Sequence, residues 1–133
     1  MAEKSLLPRL DHMIEAIERI RAVTGEIDLA TFERDWRPRM IVERGLEIVS
    51  EASRHLPDDV KSRHPGIPWP RIAAIGNRLR HEYDDVLPDI LWKVAREDLL
   101  ALEQACKAEL EREQRRVVVR RQAGPTQARE EDG

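Results

Sequence analysis

Apolar residues recur along this chain at intervals of three and four, the spacing that lines one side of an α-helix. The first such stripe is Leu10, Met13, Ile14, Ile17 and Ile20. It predicts a helix over about 7–23, with Ser5 as N-cap, Pro8 in the first turn and Gly25 as the stop. A polar connection holding Asp28, Thr31, Phe32 and Asp35 has room for one helical turn. The second stripe predicts a helix over about 38–56, buried through Met40, Ile41, Leu46, Ile48, Val49 and Ala52 and ended by Pro57. Residues 58–68 are broken by Pro65, Gly66 and Pro68 and read as a loop with one short helix. A third helix opens at Trp69-Pro70 and runs to about Tyr83. A fourth starts after Pro88 and reaches Leu110, with Ile90, Leu91, Val94, Leu99, Leu102 and Cys106 pointing inward. Beyond Glu111 the apolar periodicity fades into an Arg-rich helix end and a tail of disordered composition. The pattern is all-α: an up-and-down four-helix bundle over 1–110, with short extra helical turns and a disordered C-terminal tail over 111–133.

Composition narrows this picture. The 133 residues are 41% hydrophobic and 37% charged, a balance that suits amphipathic helices with solvated faces. No run of about 18 apolar residues occurs, and Met1-Ala2-Glu3-Lys4-Ser5 has no basic-then-apolar character, so a cytoplasmic protein without membrane contact is expected. Cys106 is the one cysteine, which excludes an internal disulfide and a multi-cysteine zinc site. Val23, Ile41, Val42 and Trp92 together exceed what one small core holds, and surplus apolar surface on a bundle marks a subunit interface, so a homodimer is expected.

The net charge of −3 gives no global reason for a polyanionic partner, but its distribution is uneven. Between Val60 and His81 stand Lys61, Arg63, Arg71, Arg78 and Arg80 with no acid among them, five positive charges in all. At 100° per residue, Ile72, Ile75, Gly76 and Leu79 form the inward stripe of the third helix. Asn77 lies about 140°, His81 about 180° and Arg78 about 240° from Ile72, so these three share the opposite face. A neutral imidazole beside fixed cations suits general-base work on a phosphodiester. No carboxylate cluster accompanies it to hold two metal ions. His12, His55 and His64 lack metal-ligand spacing and read as solvated, Cys106 and Trp69 read as packing residues, and Ser50 and Ser53 lack a base partner.

The chain resembles the HepT-like family, a branch of the HEPN superfamily of all-helical ribonucleases. The resemblance spans about 7–102. It is carried by Ile14-Glu15-Ala16-Ile17, by Glu43 to Ala52, by Pro65-Gly66-Ile67-Pro68-Trp69, by Asn77-Arg78-Leu79-Arg80-His81-Glu82-Tyr83, and by Trp92, Asp98 and Leu99. It implies a toxin of a toxin–antitoxin pair: a homodimer that cuts RNA without metal or cofactor and is neutralised by a nucleotidyltransferase antitoxin. It makes His81 the catalytic histidine and Tyr83 the tyrosine to which the antitoxin adds AMP. Many members carry an arginine five residues before the histidine, where this chain has Gly76. Two expectations follow. In one, Arg78 or Arg80 supplies the catalytic cation, Asn77 helps to bind substrate, and the protein is an active endoribonuclease. In the other it is a catalytically weakened helical module that partners a nucleotidyltransferase or binds nucleotide.

Overall fold

The computed structural model describes residues 5–81 and 87–132, with side chains through 122. The helices are α1 (Leu7–Gly25), α2 (Leu29–Arg34), α3 (Trp36–Arg54), α4 (Asp58–Ser62), α5 (Trp69–His81), α6 (Pro88–Lys93) and α7 (Leu99–Asp132). A π-helical turn, Val94–Asp98, joins α6 to α7. The four long pieces α1, α3, α5 and α6–α7 make the expected bundle, with α2 and α4 as the short extra helices. α3 packs between α1 and α5, and α7 lies on the other side of α1. No strand occurs among the described residues, and no described helix is long and apolar enough to cross a membrane.

Local chemistry fixes the helix starts. Asp28 accepts a hydrogen bond from the Thr31 amide at 2.8 Å and caps α2, and Asp35 accepts from the Arg37 amide at 3.0 Å and caps α3. Ser5 does not cap α1 alone. Its hydroxyl accepts from the Leu7 amide at 3.1 Å, while the Leu6 amide donates to Glu113 of α7 at 3.3 Å. A carboxylate from the far end of the sequence thus satisfies an open N–H at the start of α1, where the helix dipole also favours negative charge.

The core contains the expected stripes of α1 and α7, and Ile72, Ile75 and Leu79 of α5. The buried face of α3 is rotated from the expected one. Val42, Gly45, Leu46, Val49, Ser50 and Ser53 are buried, whereas Met40 is 57% and Ile41 46% exposed. Two close helix approaches cause the rotation. A Cβ on Gly45 would meet Ile20 Cδ1 of α1 at 2.6 Å, and a Cβ on Gly76 would meet Ser50 Oγ of α3 at 2.3 Å. α3 therefore turns small residues toward both neighbours, and its larger Met40 and Ile41 face outward. Of the four residues read as surplus to the core, Val42 is fully buried, Val23 is half-buried, and Trp92 packs on Phe32 with ring centroids 5.3 Å apart. Ile41 alone stays out, joined by Met40 and by Trp36 at 60% exposure.

α7 carries three buried carboxylates that periodicity did not reveal. Glu103 pairs with Arg21 and Lys107, Glu109 with Arg63 and His64, and Glu113 with Arg116. Packing on α7 therefore extends past Leu110 to Glu113, and from Val118 to Gln122 every side chain is exposed.

Candidate functional site

α5 is held in place mostly through its first two turns. Trp69 Nε1 donates to the His64 carbonyl at 3.1 Å, and Arg71 pairs with Asp98 at 2.8 Å. Midway along the helix, the Ser50 hydroxyl donates to the Ala73 carbonyl at 2.8 Å and accepts from the Gly76 amide at 3.2 Å. This close seam explains why position 76 is glycine. A side chain at this position would start inside α3, not on the solvent face.

The opposite face of α5 carries the side chains expected there. Asn77 and His81 are exposed, and Arg78 is half-buried. His81 follows Asn77 by four residues and Arg78 by three, both neighbour spacings on a helix surface, with Cβ atoms about 5–6 Å apart. Among the described residues none of these three side chains has a hydrogen-bond or ion-pair partner. Arg80 does not share this face. It points toward α3, with Nη1 3.8 Å from Glu51 Oε2. Tyr83 lies outside the described residues.

Three-dimensional pairing changes the charge picture of this segment. Arg63 is bound to Glu109 at 2.7 Å and Asp59 at 3.5 Å, Arg71 to Asp98, and Arg80 approaches Glu51. Lys61 and Arg78 are the cations of the window that have no acid partner among the described residues. The field around His81 therefore owes more to Arg78 than to the segment as a whole. His64 is not a solvated histidine. It is half-buried, with Nε2 2.7 Å from Glu109 Oε2. Hydrogen bonds from Arg63, and then from His64, hold the Glu109 carboxyl below the usual carboxylate range despite its burial. Cys106 is a core residue whose thiol is pushed up to about 12 by burial.

Beside Arg80 the surface dips into a groove of about 600 Å³ between α1 and α3, lined among others by Arg9, His12, Arg44, Glu51 and His55. It continues into an apolar groove of about 630 Å³ floored by Ala16, Ile20, Met40, Ile41 and Ile48. Sequence reasoning passed over the polar rim. Its signal was there in α3, where Arg44, Glu47, Ile48, Glu51 and His55 follow one another at short helical steps. Among the described residues no three His, Cys, Asp or Glu side chains are grouped as a metal ion would require.

The described residues form an all-helical bundle with Asn77, Arg78 and His81 on one face of α5. Its family follows from comparison: residues 13–109 match the family described as Ribonuclease HepT-like. The chain belongs to that family. It is 41% identical over 93 residues to a protein of Thermococcus cleftensis named "Probable ribonuclease HepT", covering 70% of this chain and 84% of that one. It is 31% identical over 114 residues to "Putative RNase TTE0752" of Caldanaerobacter subterraneus subsp. tengcongensis, covering 83% of this chain and 98% of the relative. A Methanocaldococcus jannaschii protein, "Putative RNase MJ1380", is 30% identical over 74% of this chain and 91% of its own length. No solved structure matches the chain.

Proposed function

We propose that this protein is a metal-independent endoribonuclease, acting as the toxin of a toxin–antitoxin pair. The observation that carries the reading is the face of α5 on which His81, Arg78 and Asn77 stand together without partners among the described residues, in a chain of a ribonuclease family. In the reaction, a ribose 2′-oxygen attacks the adjacent phosphorus while His81 takes its proton. The 5′-oxygen leaves and receives a proton from His81 of a second subunit, so the products are a 2′,3′-cyclic phosphate and a 5′-hydroxyl. Arg78 neutralises the phosphate charge as it grows, and Asn77 binds the neighbouring backbone. Arg80 is the weaker candidate for the cation, because Glu51 competes for it at 3.8 Å.

In an in-line displacement the attacking and leaving oxygens lie on opposite sides of the phosphorus, where one imidazole does not reach both, so this scheme uses two copies. We assign the second copy to the groove between α1 and α3. Its floor is apolar, and its rim carries both signs of charge, with Glu15–Arg19, Glu47–Arg44 and Glu51–Arg80 pairs that a two-fold axis can exchange. The neutralising partner in this reading is a nucleotidyltransferase that modifies Tyr83. With RNA as substrate, the compartment in this reading is the cytoplasm.

Gly76 supports a second reading, a catalytically weakened binding module. The position where many relatives carry an arginine is filled here by contact with Ser50, so the module would hold nucleotide or its partner without cutting. One experiment separates the two: incubation of a generic RNA with purified protein in EDTA, wild type beside His81→Ala. Cleavage by wild type that is lost in the variant supports the ribonuclease. Equal cleavage by both refutes the role of His81, and no cleavage by either leaves the binding module.

A further inference from the structure

We infer that the Arg-rich end of α7, residues 111–122, is a second contact surface for RNA backbone, remote from the His81 face. The inference rests on the ribonuclease reading for its choice of polyanion. Four observations carry it.

The segment lies beyond the family match, which ends at residue 109. It is rooted firmly. Glu113 is buried at 6% exposure, accepts from the Leu6 amide and Ser5 hydroxyl, and is paired with Arg116. Around and past that root the helix carries Arg112, Arg115, Arg120 and Arg121, all exposed and none with an acid partner among the described residues. Three arginines of the bundle differ, since Arg21, Arg63 and Arg71 each meet a carboxylate.

The distribution of side chains selects the partner. At 100° per residue the four arginines fall at about 0°, 300°, 80° and 180° around the helix, along roughly 14 Å of its axis. A helix that docks on a protein presents apolar anchors at i, i+3, i+4 and i+7. Here Val117, Val118 and Val119 are consecutive, which spreads them round the helix and leaves no stripe. A strand of phosphates asks only for cations that can reach it from several sides, and guanidinium groups bind phosphate oxygens in pairs.

The test is a binding titration of the full chain with a fluorescein-labelled, fully 2′-O-methylated RNA oligonucleotide, which the proposed chemistry cannot cut. Wild type is compared with a variant combining Arg112→Gln, Arg115→Gln, Arg120→Gln and Arg121→Gln, and with the corresponding Arg→Lys combination. Each phosphate left without its arginine lowers the slope of log K against log salt by about 0.7, so two such phosphates weaken binding roughly 10- to 30-fold near 0.1 M salt. The Gln variant is expected to show that weakening with an unchanged melting temperature, and the Lys variant to bind nearly as wild type. Equal binding and slope in the Gln variant overturn the inference, as does an equal weakening in the Lys variant. A Gln variant that keeps RNA but no longer binds poly-glutamate overturns it in favour of an acidic protein partner. The ribonuclease reading fails separately. It falls if His81→Ala cuts unmodified RNA as wild type does, and that result leaves the α7 titration unaffected.

Discussion

Replacing Gly76 by alanine tests the helix seam on which the candidate site is built. On an isolated helix the change is favourable, because alanine is about 1 kcal/mol better than glycine in a helix interior. Here the added methyl would stand 2.3 Å from Ser50 Oγ and 2.6 Å from Ser50 Cβ. Rotating the hydroxyl away relieves the first clash and not the second, so α3 and α5 must separate by several tenths of an ångström or more. Overpacking of this kind costs about 1–3 kcal/mol. Separation also lengthens the Ser50 bonds to Ala73 and Gly76, each worth about 1 kcal/mol net. The propensity gain offsets only part of this, leaving a net destabilisation of about 1–3 kcal/mol. In a domain of this size that lowers the melting temperature by roughly 3–10 °C. A double-mutant cycle with Ser50→Gly isolates the cause. Removing the serine side chain opens the space, so Gly76→Ala should be neutral or stabilising in that background, with a coupling of at least about 1 kcal/mol. Thermal melts of the four proteins by circular dichroism decide the matter. If Gly76→Ala alone stabilises the protein by the full propensity difference, the seam is not tight. Glycine would then be an ordinary helix residue here, and an arginine at 76 would become sterically admissible.

Three further outcomes are expected. His81→Ala should lose about 10²- to 10⁴-fold in RNA cleavage while its melting temperature stays within error of wild type, since the ring is exposed and unpartnered. Retained cleavage would remove His81 from the reaction. Glu109→Gln should destabilise the bundle by about 1–3 kcal/mol, through loss of the carboxylate charge and of one of the two oxygens that accept from Arg63 and His64. The Glu109 carboxyl sits below its ordinary 4.5, so the stability it contributes is fully present above that pH and lost as pH falls through the folded-state value. Melts of wild type and variant should therefore diverge near neutrality and converge in acid, and a constant gap down to strongly acidic pH would refute the account. Cys106, buried and with its thiol pushed up to about 12, should resist a thiol reagent at mildly alkaline pH until the protein is unfolded. Rapid labelling of the native protein would contradict its placement.

The fold was legible in the sequence because its apolar stripes are long and regular, and the boundaries of α1, α3 and α5 lie within a few residues of the expected ones, whereas α7 runs on from the expected end at Leu110 to Asp132. The rotation of α3 was not legible. Met40 and Ile41 fit an amphipathic pattern as well as Val42 does, and only the close approaches at Gly45 and Gly76 decide which side turns inward. A stripe identifies the apolar residues of a helix; two neighbours pressing on its small residues settle the orientation. The face of α5 was read correctly for Asn77, Arg78 and His81, since helical geometry alone fixes their angles to the buried Ile72. Arg80, offered with Arg78 as the alternative cation, stands at about 80° from Ile72 and leans toward α3.

Charge was the least readable property, and its misreading bears on function. Five cations without an acid looked like a basic patch, yet acids from elsewhere in the chain answer three of them. Asp98 stands 27 residues from Arg71, Glu109 stands 46 residues from Arg63, and Glu51 reaches Arg80 from another helix. Pairs of that separation leave no mark in a local window. Among the described residues Arg78 beside His81 has no acid partner, and neither have Arg112, Arg115, Arg120 and Arg121, which stand around and past the buried Glu113. The buried acids of α7 explain that contrast. Glu103, Glu109 and Glu113 recur at steps of six and four along the helix, and each draws in a cation that would otherwise face solvent. In the proposed reading a polyanion approaching the described residues meets two cationic groups, Arg78 beside His81 and the arginines at the end of α7, the first assigned to chemistry and the second to holding the backbone.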